Sequence, residues 1–236
     1  TGLLADGRVR EFVAPSPFNY SRNCLLYLPH IPPNQGDKDY YDQLAEAIIA
    51  LLDAANGHAL ALFTSYAAMS AVKERLRRGT LNYPLFTLGR NSAHTMERFK
   101  ASPGSVLLAT GAAWEGFDFP GDCVSLLIIP RLPFPLPDAH REKEREKHPT
   151  LRAFLRAVVV PEMQIKLKQG FGRAIRTETD TCVVAILDER AAQGRRYFTD
   201  MIAALPEMPV TDSLTEVEQF IRTVKAESYF QEGAAS

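Results

Sequence analysis

The 236-residue chain is long enough for one large domain or two small ones. Its 46% apolar and 23% charged residues are ordinary for a globular protein, and its formal charge of −1 excludes a histone-like blanket of basic charge. A basic groove inside a neutral total is still open. Residues 1–23 read as an irregular lead-in, because "APSPFNYSRN" brings two prolines and several turn formers. "CLLYL" (24–28) predicts a strand, and "PHIPPNQGD" a loop whose prolines block regular structure. Tyr40 to Ala55 predicts a helix on the spacing of Leu44, Ile48, Leu51 and Leu52, stopped by Gly57. "ALALFT" (59–64) is the next strand, and Ser65 caps a helix running to about Arg78. A weaker strand at "PLFTL" and a helix near 92–100 follow.

"SVLLAT" (105–110), "VSLLII" (124–129) and "CVVAIL" (182–187) are continuous apolar runs of strand length. Such runs suit strands buried on both faces, as in a parallel sheet covered by helices. Further helices are expected at about 190–204 and 213–227, and "HREKEREKH" (140–148), with no apolar stripe, as a solvated helix or mobile insertion. The alternation predicts an α/β fold with an open, mainly parallel sheet, whose ligands sit beyond the carboxyl ends of the strands. With no repeat and no clear linker, one domain is expected over 24–228, with a tail at 229–236.

Cys24, Cys123 and Cys182 are far apart and form no CxxC, so this chain alone is not expected to hold zinc or an iron–sulfur cluster. An odd count of cysteines set in apolar runs fits buried thiols in a reducing cytoplasm. The longest apolar runs fall far short of the roughly 20 residues needed to span a bilayer, so no membrane partner is expected. "TGLLADGRVR" lacks the shape of a signal peptide. Opening with neither Met nor a helix cap, the chain reads as a piece of something longer.

"KQGFGRAIRTETD" (168–180) is the most informative stretch, since each glycine in a helix costs about 1 kcal/mol relative to alanine. On a helical wheel over 163–176, Met163, Leu167, Phe171, Ala174 and Ile175 share one face, and Gln169, Arg173 and Arg176 share the opposite one. Two arginines side by side repel each other, so this grouping makes best sense around an anion, to which guanidinium groups bind as forks. Gly170 and Gly172 would then allow another backbone or a ligand to approach closely.

"QGFGRAIR" resembles motif VI of superfamily 2 helicases, Q-x-x-G-R-x-x-R, in the variant of the DinG/XPD family, with Ala174 where that family commonly has Leu. "ATGAAWEGFDFPG" (109–121) is similar to its motif V and "LFTSY" (62–66) to its motif IV; "SPF" (16–18) and "RLPFPLP" (131–137) are similar to further segments. The order and spacing agree from about residue 16 to residue 224. The chain has no G-x-x-x-x-G-K-[ST] loop and no D-E-A-H motif. The resemblance therefore implies the second RecA-like motor domain of a bacterial ATP-dependent DNA helicase, inactive as an ATPase by itself. The first RecA-like domain of the same polypeptide would hold most of the ATP and Mg2+, and an iron–sulfur cluster could lie elsewhere in the parent.

The resemblance implies roles for individual residues. Arg176, as the arginine finger, and Arg173 would be catalytic, and Gln169 and Gly172 would lie at the nucleotide. Glu115 and Asp118 would orient arginines or nucleotide hydroxyls around Gly116, with loop capping and a plain tight turn as their other readings. Ser65 and Thr110 offer hydroxyls to phosphates of single-stranded DNA. Trp114 either stacks on a base or anchors its loop. Travel would be 5′ to 3′. A DNA-binding, regulatory helicase-like module of an exonuclease-fused homologue, without unwinding, is the alternative; a nucleotide-binding module with no nucleic-acid role fits poorly with both arginines in place.

Overall fold

Apolar runs of strand length need helices on both sides of the sheet they form, and that is the arrangement found. The structure, a computed structural model, describes residues 18–79, 81–89, 92–114, 116–117, 119 and 121–231. In chain order it contains α1 (Tyr20–Asn23), β1 (Cys24–Tyr27), α2 (Tyr40–Ala55), β2 (Ala59–Phe63), α3 (Tyr66–Arg78), β3 (Leu85–Thr87), α4 (Ser92–Lys100), β4 (Val106–Thr110) and β5 (Leu126–Ile129). Then come α5 (Ala139–Glu146), α6 (Leu151–Phe154), α7 (Val160–Phe171), β6 (Cys182–Ile186), α8 (Phe198–Ala204), β7 (Val210–Thr211), α9 (Leu214–Val224) and α10 (Glu227–Gln231). The sheet order is β3-β4-β2-β5-β6-β1-β7, and every pairing is parallel.

Side chains alternate across a strand, so each apolar run feeds two cores. On one face Leu60, Leu62, Leu107, Leu127, Ile129 and Val184 pack with Met163, Leu167 and Phe171 of α7 and Met201 of α8. On the other, Ala61, Phe63, Leu108, Ile128 and Val183 meet Leu44, Ile48 and Leu51 of α2, Met69 and Val72 of α3, and Val217 and Ile221 of α9. Each fully buried Leu, Ile or Val contributes about 1.5–3 kcal/mol.

Caps and turns set the element ends. The backbone N–H of Ala68 donates to Ser65 Oγ at 3.2 Å and starts α3. At the end of α2, Asn56 turns left-handed at φ 55° and Gly57 follows at φ 73°. A Cβ on Gly57 would come within 2.0 Å of the Gly104 carbonyl oxygen, so only glycine fits. The charged run at 140–148 is helical in α5, with no buried residue.

Several boundaries differ from the sequence expectation. The helix of the glycine stretch begins earlier, with α6 passing through a π-helical turn at Leu155–Val159 into α7. Pro161 lies in the first turn of α7, where its missing N–H is absorbed by that irregular turn. The helix expected at 190–204 is broken at Gly194, at φ 76°, and only α8 remains. Residues 229–231 are not a tail: Tyr229 is buried, stacks on His58 at 4.1 Å and donates its hydroxyl to the Ala55 carbonyl at 2.7 Å. The described end of the 1–23 lead-in is helical in α1, with Tyr20 against Phe171 at 5.6 Å. The short strand β7 extends the sheet beyond β1.

Candidate functional site

In a parallel sheet all strands deliver their carboxyl ends to one edge, and here that edge collects the predicted residues. β2 ends at Phe63 and hands over through Thr64 to Ser65. β4 ends at Thr110 and continues into a 3-10 turn, Gly111–Trp114. Gly111 sits at φ 63° at the start of that turn, a conformation most side chains resist. A groove of about 720 Å³ runs over this edge, and Ser65, Thr110, Lys166 and Gln169 line it. Thr110 is 7% exposed and contributes to the lining of the groove.

Trp114 is 0% exposed, and its indole N–H donates to the Phe63 carbonyl at 3.1 Å. Stacking on a base is therefore corrected: the ring is the anchor of its loop. Its neighbour explains one of the two glycines, because a Cβ on Gly170 would lie 2.7 Å from Cζ3 and 2.8 Å from Cε3 of that ring. The close approach expected at Gly170 is made by a side chain of the same domain. A Cβ on Gly172 would meet nothing nearer than the Gln169 carbonyl oxygen at 3.5 Å, an ordinary contact.

The helix also stops sooner than the wheel supposes. α7 ends at Phe171 with Gly172 as its cap, and Arg173 and Arg176 lie on the turn beyond it. Gln169 remains on the helix and faces the groove with Thr110. The arginines instead reach the loop after Trp114. Arg173 donates from Nη1 to the Phe117 carbonyl at 2.8 Å and from Nε to the Gln169 carbonyl at 3.2 Å. Arg176 donates from Nη2 to the same Phe117 carbonyl at 3.2 Å. Two guanidinium groups thus converge on one oxygen. Gly116 is exposed in the same loop, while Glu115 and Asp118 lie outside the described residues.

Sequence reasoning missed two carboxylates that hold this edge in place. Buried Asp180 accepts the backbone N–H of Arg176 at 2.7 Å and of Thr177 at 2.8 Å on Oδ2, and the Thr177 hydroxyl at 2.8 Å on Oδ1. Asp188, buried just past β6, accepts the Leu132 N–H at 2.8 Å and a two-pronged grip from Arg190 at 3.0 and 2.7 Å. Burial alone would raise the Asp188 pKa. The Arg190 hydrogen bonds and charge, with the Arg190 and Leu132 N–H groups, outweigh it and hold the carboxyl below its usual range. Arg190 also lies 4.7 Å from the Phe134 ring centroid, so the pair fixes the proline-rich wall of the groove. Turn formers around Asp180 were the only available signal.

Among the described residues no cluster of three or more His, Cys, Asp or Glu could hold a metal ion. None of their helices is long and apolar enough to cross a membrane.

Residues 48–208 match the family model described as helicase C-terminal domain. The chain is 35% identical over 209 residues to the ATP-dependent DNA helicase YoaA of Haemophilus influenzae, covering 88% of this chain and 32% of that protein. It is also 35% identical over 226 residues to the ATP-dependent helicase DinG of Mycobacterium tuberculosis, covering 94% and 34%. A solved XPD helicase structure superposes with a TM-score of 0.60 at 19% identity, over 80% of this chain and 36% of that one. The chain spans about a third of the length of the curated relatives it matches.

Proposed function

The chain belongs to the helicase C-terminal domain family, and from that premise we propose that it is the second motor domain of a longer, bacterial, cytoplasmic ATP-dependent DNA helicase. The observation that carries this reading is the convergence of Arg173 and Arg176 on one carbonyl oxygen. Guanidinium groups that can share a neutral oxygen can share a phosphoryl oxygen, a stronger acceptor. The residues present therefore fit the γ-phosphate of an ATP held chiefly by the first RecA-like domain of the same polypeptide, with its Mg2+ there. Bound magnesium would neutralise phosphate charge, and Arg176 would add the remaining positive charge as the transition state develops. Arg173 tethers Arg176's loop to α7, and Gln169 sits between that loop and the groove. By the motif resemblance, Gly116 and Gly172, with Glu115 and Asp118, would serve the same nucleotide. Ser65 and Thr110 would bind single-strand phosphates on the other side of Trp114, so closure on ATP is felt at the DNA track.

The test uses the full-length polypeptide. Its ATP turnover is expected to rise when single-stranded DNA is added, and it is expected to displace a strand from duplexes with a 5′ overhang, the polarity proposed here. DNA binding or degradation with no strand displacement would contradict a motor and favour a helicase-like module serving a nuclease.

A further inference from the structure

Past its cap at Gly172 the chain makes two turn bonds, from the Arg173 N–H to the Gly170 carbonyl and from the Ala174 N–H to the Phe171 carbonyl, each at 3.0 Å. From Ile175 to Thr181 it is neither helix nor strand. The backbone N–H groups of Arg176 and Thr177 find their acceptor in a side chain instead, Asp180 Oδ2, at 2.7 and 2.8 Å. Asp180 is 8% exposed, and its N–H returns to the Thr177 carbonyl at 3.2 Å, so residues 176–180 close around one carboxylate. Two distant residues fix this loop on the domain. Asn23, the last residue of α1, donates from Nδ2 to the Glu178 carbonyl at 2.7 Å. Lys225, whose side chain is 3% exposed, donates from Nζ to the Thr181 carbonyl at 3.2 Å.

An irregular turn is ordered only against conformational entropy, so a loop held at this many points is held for a reason. A guanidinium that must meet a developing charge needs a fixed origin, since a misplacement of about 1 Å can cost about 10²-fold in rate. Asp180 grips the amide of Arg176 itself, which sets where that side chain leaves the backbone. We propose that Asp180 is a positioning residue for Arg176, and that Asn23 anchors the loop so formed. This rests on the reading of Arg176 as the group that meets the γ-phosphate and adds what aims it. Asp180 touches no phosphate in this role and serves only through hydrogen bonds, so a neutral isostere can replace it. In Asp180→Asn the amide oxygen accepts the two N–H groups and the NH2 donates to the Thr177 hydroxyl oxygen, whose proton turns to Thr179 Oγ1 at 3.1 Å. Alanine leaves both N–H groups without that acceptor.

The test is ATP turnover of the full-length protein with saturating single-stranded DNA, read as a double-mutant cycle. Asp180→Ala is expected to lower kcat about 10- to 100-fold with the KM for ATP unchanged, because a misaimed guanidinium is missed only in the transition state. Asp180→Asn should restore most of that loss. Asn23→Ala, which removes one exposed hydrogen bond and leaves Asp180 in place, should lower kcat about 2- to 10-fold. Once Arg176 is alanine the aim has no object, so adding Asp180→Ala or Asn23→Ala should cost nothing further. A raised KM in place of a lowered kcat, or a loss of the same size with and without Arg176, overturns the positioning role alone. So does an Asn variant as impaired as the Ala one, or undiminished turnover in both Asp180→Ala and Asn23→Ala. Normal turnover of Arg176→Ala overturns the reading beneath it. Should Asp180→Ala fail to fold, the cycle between Asn23→Ala and Arg176→Ala decides by the same criteria.

Discussion

A methyl on Gly170 would press into the Trp114 ring at 2.7 Å, and that ring is fully buried and held by its bond to Phe63. Alanine gains about 1 kcal/mol of helix propensity, yet overpacking a rigid neighbour costs about 1–3 kcal/mol. The clash wins because so deep an overlap cannot be relieved by a rotamer change. Gly170→Ala is therefore expected to lower the unfolding free energy measured in urea, while Gly172→Ala, with only ordinary contacts, is expected to leave it within about 0.5 kcal/mol of wild type. Equal effects would contradict the assignment. The sequence identified both glycines as costly but could not tell them apart, since the difference lies in a tryptophan 56 positions away along the chain. The same limit applies to Trp114, whose two readings are separated only by burial.

Asp188 links β6 to the segment from Leu132 to Phe134 that walls the groove. Its folded pKa lies below the ordinary value of about 3.9. Its contribution is therefore fully present above that value and is lost as pH falls through the lower folded one. Asp188→Asn should destabilise the protein at pH 7 by less than the roughly 3–5 kcal/mol of a fully buried pair, because Arg190 is 32% exposed. Urea unfolding from pH 7 to pH 3 should show the gap between wild type and variant closing below about pH 4. A gap independent of pH would contradict the pairing. Elements with strong periodicity, such as α2 and α3, were legible because apolar spacing and caps act locally. The end of α7 was not, since apolar Ala174 and Ile175 continue the helical pattern although the chain has turned at Gly172. β7 escaped notice because two residues carry no period.

For the whole molecule, the three apolar runs at 105–110, 124–129 and 182–187 announce a sheet buried on both faces, but the order β3-β4-β2-β5-β6-β1-β7 depends on long-range pairing that no local pattern encodes. A helical wheel over 163–176 placed Gln169, Arg173 and Arg176 together, and the fold divides them between the groove and the Phe117 loop. That division is what lets one edge serve both DNA and nucleotide in the proposed cycle. The central claim is that Arg176 completes an ATP site on the first motor domain. Its most direct test is steady-state ATP turnover of the full-length protein and its Arg176→Ala variant with saturating single-stranded DNA. A loss of about 10³-fold or more is predicted for the variant; turnover close to wild type would contradict the account.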